Sequence, residues 1–143
     1  MTIHQLSIFM ENKSGTLLRV LDLLRRFGIQ IIASTIPDTA ENGIYRLICS
    51  EPLRAYEGLK NADIPVALSE VFALELDDVP GRAAEAVSIL SQANISLTYM
   101  YSFLLRGKGI LVFRPDDAEL TRETILRNNM KYIAEKDLSK YSA

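Results

Sequence analysis

The first part of the chain changes from a strand-like to a helical spacing of apolar residues. Leu6, Ile8 and Met10 occupy every second position, which predicts a strand with one buried face. After the polar segment "ENKSG" (residues 11–15), apolar residues recur every three or four positions, and this spacing predicts an amphipathic helix. These helical positions are Leu17, Val20, Leu21, Leu24 and Phe27.

The same order of elements returns 66 residues later, where Gly81 takes the place of Gly15. A second polar segment, "DDVPG" (residues 77–81), follows a strand pattern and precedes a weaker helix pattern. The matching strand residues are Phe72, Leu74 and Leu76, and the inward helix residues are Ala83, Ala86, Val87, Leu90 and Ala93. Each copy continues with two strand-like runs, a shorter helix and a last short strand near Val66 or Tyr132. Each copy therefore predicts the ferredoxin-like order β-α-β-β-α-β.

These patterns predict an α+β fold built from two ferredoxin-like repeats packed together. Each repeat should have an antiparallel sheet with its helices on one face. We expect one domain in residues 1–69 and the other in residues 70–143. Small units of this size have thin cores, so packing of one repeat against the other should stabilise both.

Composition narrows the classes of protein that this sequence fits. The chain has 143 residues, 48% of them hydrophobic and 24% charged, which is typical of a globular protein. The net charge of −2 disfavours nucleic-acid binding, which needs a basic face. No apolar stretch approaches the roughly 20 residues that span a bilayer. With a single cysteine and no leader-like N-terminus, the sequence predicts a cytoplasmic protein with no membrane partner.

Both strand–helix junctions share the pattern Asp or Asn, two variable residues, then glycine. They read "NKSG" from Asn12 to Gly15 and "DVPG" from Asp78 to Gly81. With this junction repeated in two β-α-β-β-α-β units, the chain resembles a tandem ACT-domain protein over nearly its whole length. The polar residues early in each second strand, Gln30 and Ser96, also suit the family pattern.

The resemblance implies a regulatory protein that binds a free amino acid and has no catalytic activity. The ligand is expected at the loops after the first strand of each repeat, at a domain or subunit interface. A helix N-terminus suits a carboxylate, while Asn12 and Asp78 offer oxygens to an ammonium group. The expected amino-acid-binding residues are Met10, Asn12, Ser14, Gly15, Thr16, Leu17, Gln30, Leu76, Asp78, Pro80, Gly81, Arg82 and Ser96.

Ordinary helix capping explains the same junction residues without a ligand. Asn, Asp and Ser are the commonest N-caps, and proline is frequent at the first helical position. Finding the junction twice at the same place favours the binding interpretation. The two sites should nevertheless differ, because Asn12 is neutral whereas Asp78 is charged and repels a carboxylate. We expect the first site to bind more tightly.

Other candidate chemistry is weak in this sequence. His4 and Cys49 have no partners at metal-ligand spacing, so neither a metal site nor a bound cofactor is expected. Cys49 should be a small buried apolar residue. The segment "RGKG" (residues 106–109) predicts a hairpin turn, not a phosphate loop. The third strands lack the aromatic and basic signature of RNA-binding domains of the same topology.

The sequence thus favours an amino-acid sensor that acts through other proteins. A homodimer is expected because small sheets of this kind find edge or face partners, and a separate metabolic enzyme is the expected target. Two alternatives remain open at this point. One is a ligand-free assembly module of ferredoxin-like fold, and the other is a small enzyme of that fold.

Overall fold

A computed structural model of the chain describes residues 1–10, 13–36 and 43–138. The elements appear in the order strand, helix, strand, strand, helix, and this order then begins again. They are β1 (Thr2–Met10), α1 (Lys13–Arg26), β2 (Ile31–Thr35), β3 (Gly43–Cys49), α2 (Pro52–Asn61), β4 (Val66–Asp77), α3 (Arg82–Gln92), β5 (Leu97–Leu105), β6 (Lys108–Pro115), α4 (Ala118–Arg127) and α5 (Glu135–Leu138). The predicted α+β class is confirmed, with antiparallel strands and two ferredoxin-like repeats.

The chain divides into two compact units, and one of them comprises His4–Ser69 together with Leu138. Its strands lie in the order β2-β3-β1, with the start of β4 next to β1. The apolar residues predicted for the buried face of β1 belong to the core of this unit. In this core α1 and α2 cover one face of the strands. The buried members are Leu6, Ile8, Met10, Val20, Leu24, Ile29, Tyr45, Leu47, Cys49, Ala55, Leu59 and Ile64.

The other unit comprises Met1–Ile3 and Glu70–Asp137, with the strand order β4-β6-β5. Its core again lies between the strands and two helices, here α3 and α4. The buried members are Phe72, Leu74, Ala86, Leu90, Ile95, Leu111, Phe113 and Ile125. The rings of Phe72 and Phe113 stack with centroids 5.7 Å apart. The short strand predicted near Tyr132 is a single bridge to Leu74.

The 66-residue repeat extends to individual backbone hydrogen bonds. Ile29 N–H donates to Leu24 O and Ile95 N–H to Leu90 O, both at 3.0 Å. The same offset relates two further pairs of bonds. They are Ser50 N–H to Gln30 O and Asp116 N–H to Ser96 O at 2.9 Å, and Ile64 N–H to Leu59 O at 3.1 Å and Met130 N–H to Ile125 O at 3.0 Å. The two copies therefore share a backbone design although few of their side chains are identical.

Matching left-handed residues end the helices of both copies. Gly28 (φ +69°) and Asn94 (φ +61°) follow the longer helices, and Asp63 (φ +60°) and Asn129 (φ +51°) follow the shorter ones. Gly, Asn and Asp tolerate this conformation better than other residues, because glycine lacks a Cβ and the short polar side chains bond locally. The prediction that Gly28 and Asn94 end their helices is confirmed.

The sheet and the first junction differ from the predicted pattern in two respects. The alternation of Leu6, Ile8 and Met10 puts Gln5 on the opposite face of β1, yet Gln5 is completely buried, and its Nε2 donates to Ser7 Oγ at 3.4 Å. The segment "ENKSG" was predicted to be a loop up to Gly15, but α1 already begins at Lys13. In the second copy α3 begins only at Arg82, because Gly81 has a φ of +93° that a helix cannot include.

The hairpin predicted at "RGKG" is confirmed. β5 and β6 are joined by two residues, Arg106 (φ +52°) and Gly107 (φ +77°). Two successive positive φ values are the mark of the type I′ turn that matches the twist of a hairpin. The turn fixes the register of the strands, in which Leu105 pairs with Lys108 and Leu104 with Gly109.

Candidate functional site

A cavity of about 310 Å³ opens where β4 ends and α3 begins, at the second predicted junction. The end of β4, the first turn of α3 and the β5–β6 hairpin contribute its walls. The lining residues are Leu76, Asp77, Asp78, Val79, Arg82, Ala83, Ser102, Phe103, Leu104, Gly109, Ile110 and Leu111. All of its charged residues come from the junction, and the strand residues of the hairpin are uncharged. The cavity is therefore polar at one end and mostly apolar at the other.

Two ion pairs organise the polar end. Lys108 Nζ lies 2.9 Å from Asp77 Oδ1, and Arg82 Nη1 lies 3.0 Å from both carboxylate oxygens of Glu85. The hydrogen bond and the charge of Lys108 lower the pKa of Asp77, and the same contact raises the pKa of Lys108. The lowered pKa keeps Asp77 in its charged form at neutral pH. Asp78, which is exposed, adds a second carboxylate at the rim.

The first turn of α3 supplies further hydrogen-bond donors at the same end. The first N–H groups of a helix have no partner within the helix and carry partial positive charge. Gly81 stands at the N-cap without a capping side-chain bond, and Arg82 and Ala83 follow as the first helical residues. Donors and acceptors therefore lie side by side at the junction, which is the arrangement that a zwitterion needs.

The apolar end is formed by one row of residues across three strands. Leu76 of β4 pairs with Gly109 of β6, which pairs in turn with Leu104 of β5. The next row on the same face contains Leu111 and Ser102, and Leu111 belongs to the core beneath the helices. Because Gly109 has no side chain, the row has a gap between its two leucines. This gap forms the floor of the cavity.

The structure brings together only part of the residues predicted for the second site. Leu76, Asp78 and Arg82 line the cavity, while the exposed Pro80 and Gly81 lie in the same junction without lining it. Ser96 is at the opposite end of α3, where its N–H donates to Asp116 Oδ1 at 3.0 Å. Eleven helical residues separate the two ends, a length of about 16 Å.

The predicted first site can be described only in part. Asn12 lies outside the described residues, and so does the side chain of Ser14. Gly15, Thr16 and Leu17 form part of the first turns of α1, and Met10 is completely buried in the core. Gln30 lies beyond the far end of α1, beside Gly28 and Ile31, and its N–H donates to Ser50 Oγ at 3.0 Å.

Sequence reasoning missed the hairpin half of the cavity. Ser102, Leu104, Gly109 and Leu111 were not among the predicted site residues. One clue was available, because Gly109 repeats Gly43 at the 66-residue offset. In both copies this glycine pairs with the last apolar residue of the first strand, Met10 or Leu76. Ala83, expected to face the core, is exposed and borders the cavity.

The remaining candidate chemistry lies outside this cavity. Cys49 is completely buried in the core, as predicted for a small apolar residue. Within residues 1–10, 13–36 and 43–138, no group of three or more His, Cys, Asp or Glu side chains could hold a metal ion. None of the helices in that part of the chain is long and apolar enough to cross a membrane.

Comparison with known proteins identifies the architecture. The sequence profile of the ACT domain pair matches residues 1–142. The crystal structure of a Bacteroides thetaiotaomicron protein is similar to this chain with a TM-score of 0.92 and 35% identity, over 98% of this chain and 97% of that one. The ligand-free regulatory subunit of aspartate kinase from Thermus thermophilus has the same fold, with a TM-score of 0.64 and 14% identity over 88% and 90% of the two chains. The regulatory subunit from Thermus flavus is similar at a TM-score of 0.59 and 14% identity, over 89% and 93%. No curated protein matches.

Proposed function

Because this chain belongs to the ACT domain pair family, we propose that it is a non-catalytic regulatory protein that binds a free amino acid. The binding site is the cavity at the β4–α3 junction. We further propose one ACT domain in residues 1–69 and another in residues 70–143, with a corresponding site at the first junction. The prediction that this first site binds more tightly stays open to test.

The observation that carries this proposal is the combination of opposite charges at one end of the cavity. Asp78 is available to accept hydrogen bonds from an α-ammonium group. Arg82 and the first N–H groups of α3 are available to donate to an α-carboxylate. Lys108 neutralises Asp77, and Glu85 bonds to Nη1 of Arg82, which leaves the other N–H groups of that guanidinium to face a carboxylate.

The related structures support a regulatory role. Two of them are regulatory subunits of aspartate kinase. We propose by analogy that this chain acts on a separate metabolic enzyme and does so as a homodimer. Ligand binding regulates such a partner only by favouring one arrangement of the chains over another.

A thermal-shift screen against the standard amino acids, followed by calorimetric titration, tests the proposal. A ligand at 100 times its Kd adds about 2.7 kcal/mol to the stability of the folded state. This corresponds to a rise in Tm of about 5–10 °C for a protein of this size. No shift with any amino acid would contradict the proposal and leave the ligand-free assembly module as the better explanation.

Matched arginine variants locate the site. Arg82→Ala should weaken binding by about tenfold or more, because it removes a charged hydrogen-bond donor worth about 1.5–3 kcal/mol. Arg127→Ala removes an exposed arginine from the last turn of α4, outside the lining of the cavity, and should leave Kd unchanged. Equal effects of the two variants would place the ligand elsewhere.

A further inference from the structure

Gly109 occupies a strand position where backbone conformation does not require glycine. The left-handed glycines in the described part of the chain are Gly28, Gly81 and Gly107, so φ at Gly109 suits any residue. The β4–β6 pairing is regular across it, and the β5–β6 irregularity lies far away, between Leu97 and Tyr99. Glycine in the interior of a strand weakens the strand and leaves nothing to pack.

Close packing does not require glycine there either. A Cβ built on Gly109 would lie 3.6 Å from Leu76 O and 3.8 Å from Leu76 Cβ, which are ordinary contact distances. By contrast, a Cβ at Gly58 would overlap the ring of Phe27. Glycine inside a strand often marks a bulge, a sharp bend or a close approach of a ligand or another backbone. With regular pairing and ordinary contacts, ligand approach is the explanation that fits this position.

The walls around this space define what fits into it. Leu76 and Leu104 stand on either side of Gly109, with Leu111 and Ser102 in the next row. Side chains alternate between faces along a strand, so Phe103 and Ile110 point away from the row that contains Leu104 and Gly109. The side chains around this space are therefore aliphatic except for Ser102, and all charged groups of the cavity are at its junction end.

We infer that Gly109 forms the floor of a side-chain pocket that selects an amino acid with an aliphatic side chain, of the valine, leucine, isoleucine or methionine type. This inference rests on the proposed function, because the zwitterion must sit at Asp78 and Arg82 for its side chain to reach Gly109. The cavity of about 310 Å³ is at the lower end of the usual range for small-molecule sites, about 300–1,000 Å³, and suits a ligand of this size.

Titration of the wild-type protein with single amino acids gives the first test. Kd should decrease about three- to fourfold for each aliphatic carbon added from alanine to valine to leucine. Serine, threonine, aspartate, lysine and phenylalanine should bind at least tenfold more weakly than leucine. If one of these five binds more tightly than leucine, the inference is wrong while the proposed function stands. If no amino acid binds, both fail.

Filling the pocket gives the second test. Gly109→Val should weaken leucine binding at least tenfold and alanine binding by less than threefold, because the new side chain occupies only the space that the longer ligand needs. Thr98→Val is the matched control, since it introduces the same residue into an exposed position of β5 outside the cavity. This control should change neither Kd. An unchanged ratio of the two Kd values in Gly109→Val overturns the inference, and the Tm of the free variant shows that it has folded.

Discussion

The contact between Gly58 and Phe27 makes one substitution destabilising where helix propensity alone predicts a gain. Gly58 lies inside α2, and a Cβ there would overlap Cε2 of the Phe27 ring and lie 2.8 Å from Cζ. Carbon atoms in contact are about 3.5–4.0 Å apart, so the ring would have to retreat by about 1 Å. Overpacking of this kind costs about 1–3 kcal/mol. Alanine gains about 1 kcal/mol over glycine in a helix, so Gly58→Ala should lower the free energy of unfolding by about 1 kcal/mol.

A double-mutant cycle separates the two contributions. In a Phe27→Ala background the obstacle is absent, so Gly58→Ala should raise the free energy of unfolding by about 1 kcal/mol. The expected coupling between the two positions is therefore about 2 kcal/mol. Glu57→Ala compared with Glu57→Gly measures helix propensity alone at the exposed neighbouring position. Urea unfolding followed by circular dichroism gives each value. The same sign for Gly58→Ala in both backgrounds would refute the steric argument.

Three further predictions concern the helix ends and the polar end of the cavity. Gly28→Ala should lower the free energy of unfolding by about 1 kcal/mol and Gly28→Asn by less, as measured in urea, because Asn94 adopts the same left-handed conformation. Asp117→Ala should cost about 1 kcal/mol by the same measurement, because the Asp117 side chain caps α4 through Leu120 N–H, and Asp117→Asn should restore most of the loss. The difference in Tm between wild type and Asp77→Asn should be constant from about pH 5 to 8 and shrink progressively as the pH falls below about 4, because Lys108 lowers the pKa of Asp77 and protonation removes the attraction. A difference that does not shrink as the pH falls through this acidic range would contradict the assignment.

The repeat and its backbone could be predicted because both determine the spacing of apolar residues along the chain. Apolar residues at every second position gave the strands of both cores, and the offset of 66 matched Leu24 with Leu90 and Gly28 with Asn94. Burial of one face forces this spacing whatever the individual side chains are. The four-residue helix α5 was not predicted, because one turn is too short to show a periodicity.

The candidate site was predicted on one side only, because its two sides have different origins. The junction residues Asp78 and Arg82 are close in sequence, and a local motif is enough to find them. Leu104 and Gly109 reach the same cavity through the register of a hairpin, which the type I′ turn sets. Gln30 and Ser96 were included from a family pattern, but their carbonyl oxygens accept from Ser50 N–H and Asp116 N–H, just before α2 and α4.

The interior of α2 shows how the two copies diverged without changing their backbone. Phe27 and Gly58 in the first copy correspond to Ala93 and Thr124 in the second at the 66-residue offset. The first copy thus combines a large residue with the smallest one, whereas the second copy has one residue of small and one of intermediate volume. Thr124 is buried, and its Oγ1 donates to Leu120 O at 2.7 Å. Volume was redistributed between positions, as expected for close-packed interiors.

The composition of the two units has a consequence for synthesis of the chain. Met1–Ile3 belong with Glu70–Asp137, and Leu138 belongs with His4–Ser69. At about 5–20 residues per second, a ribosome needs roughly 4–14 s to proceed from Met1 to Glu70. Met1–Ile3 are therefore synthesised before the rest of their own unit. The unit of His4–Ser69 obtains Leu138 only after the other unit has been synthesised. Neither unit can be completed while the ribosome is still within the other, so the final steps of folding of both must follow translation of most of the chain.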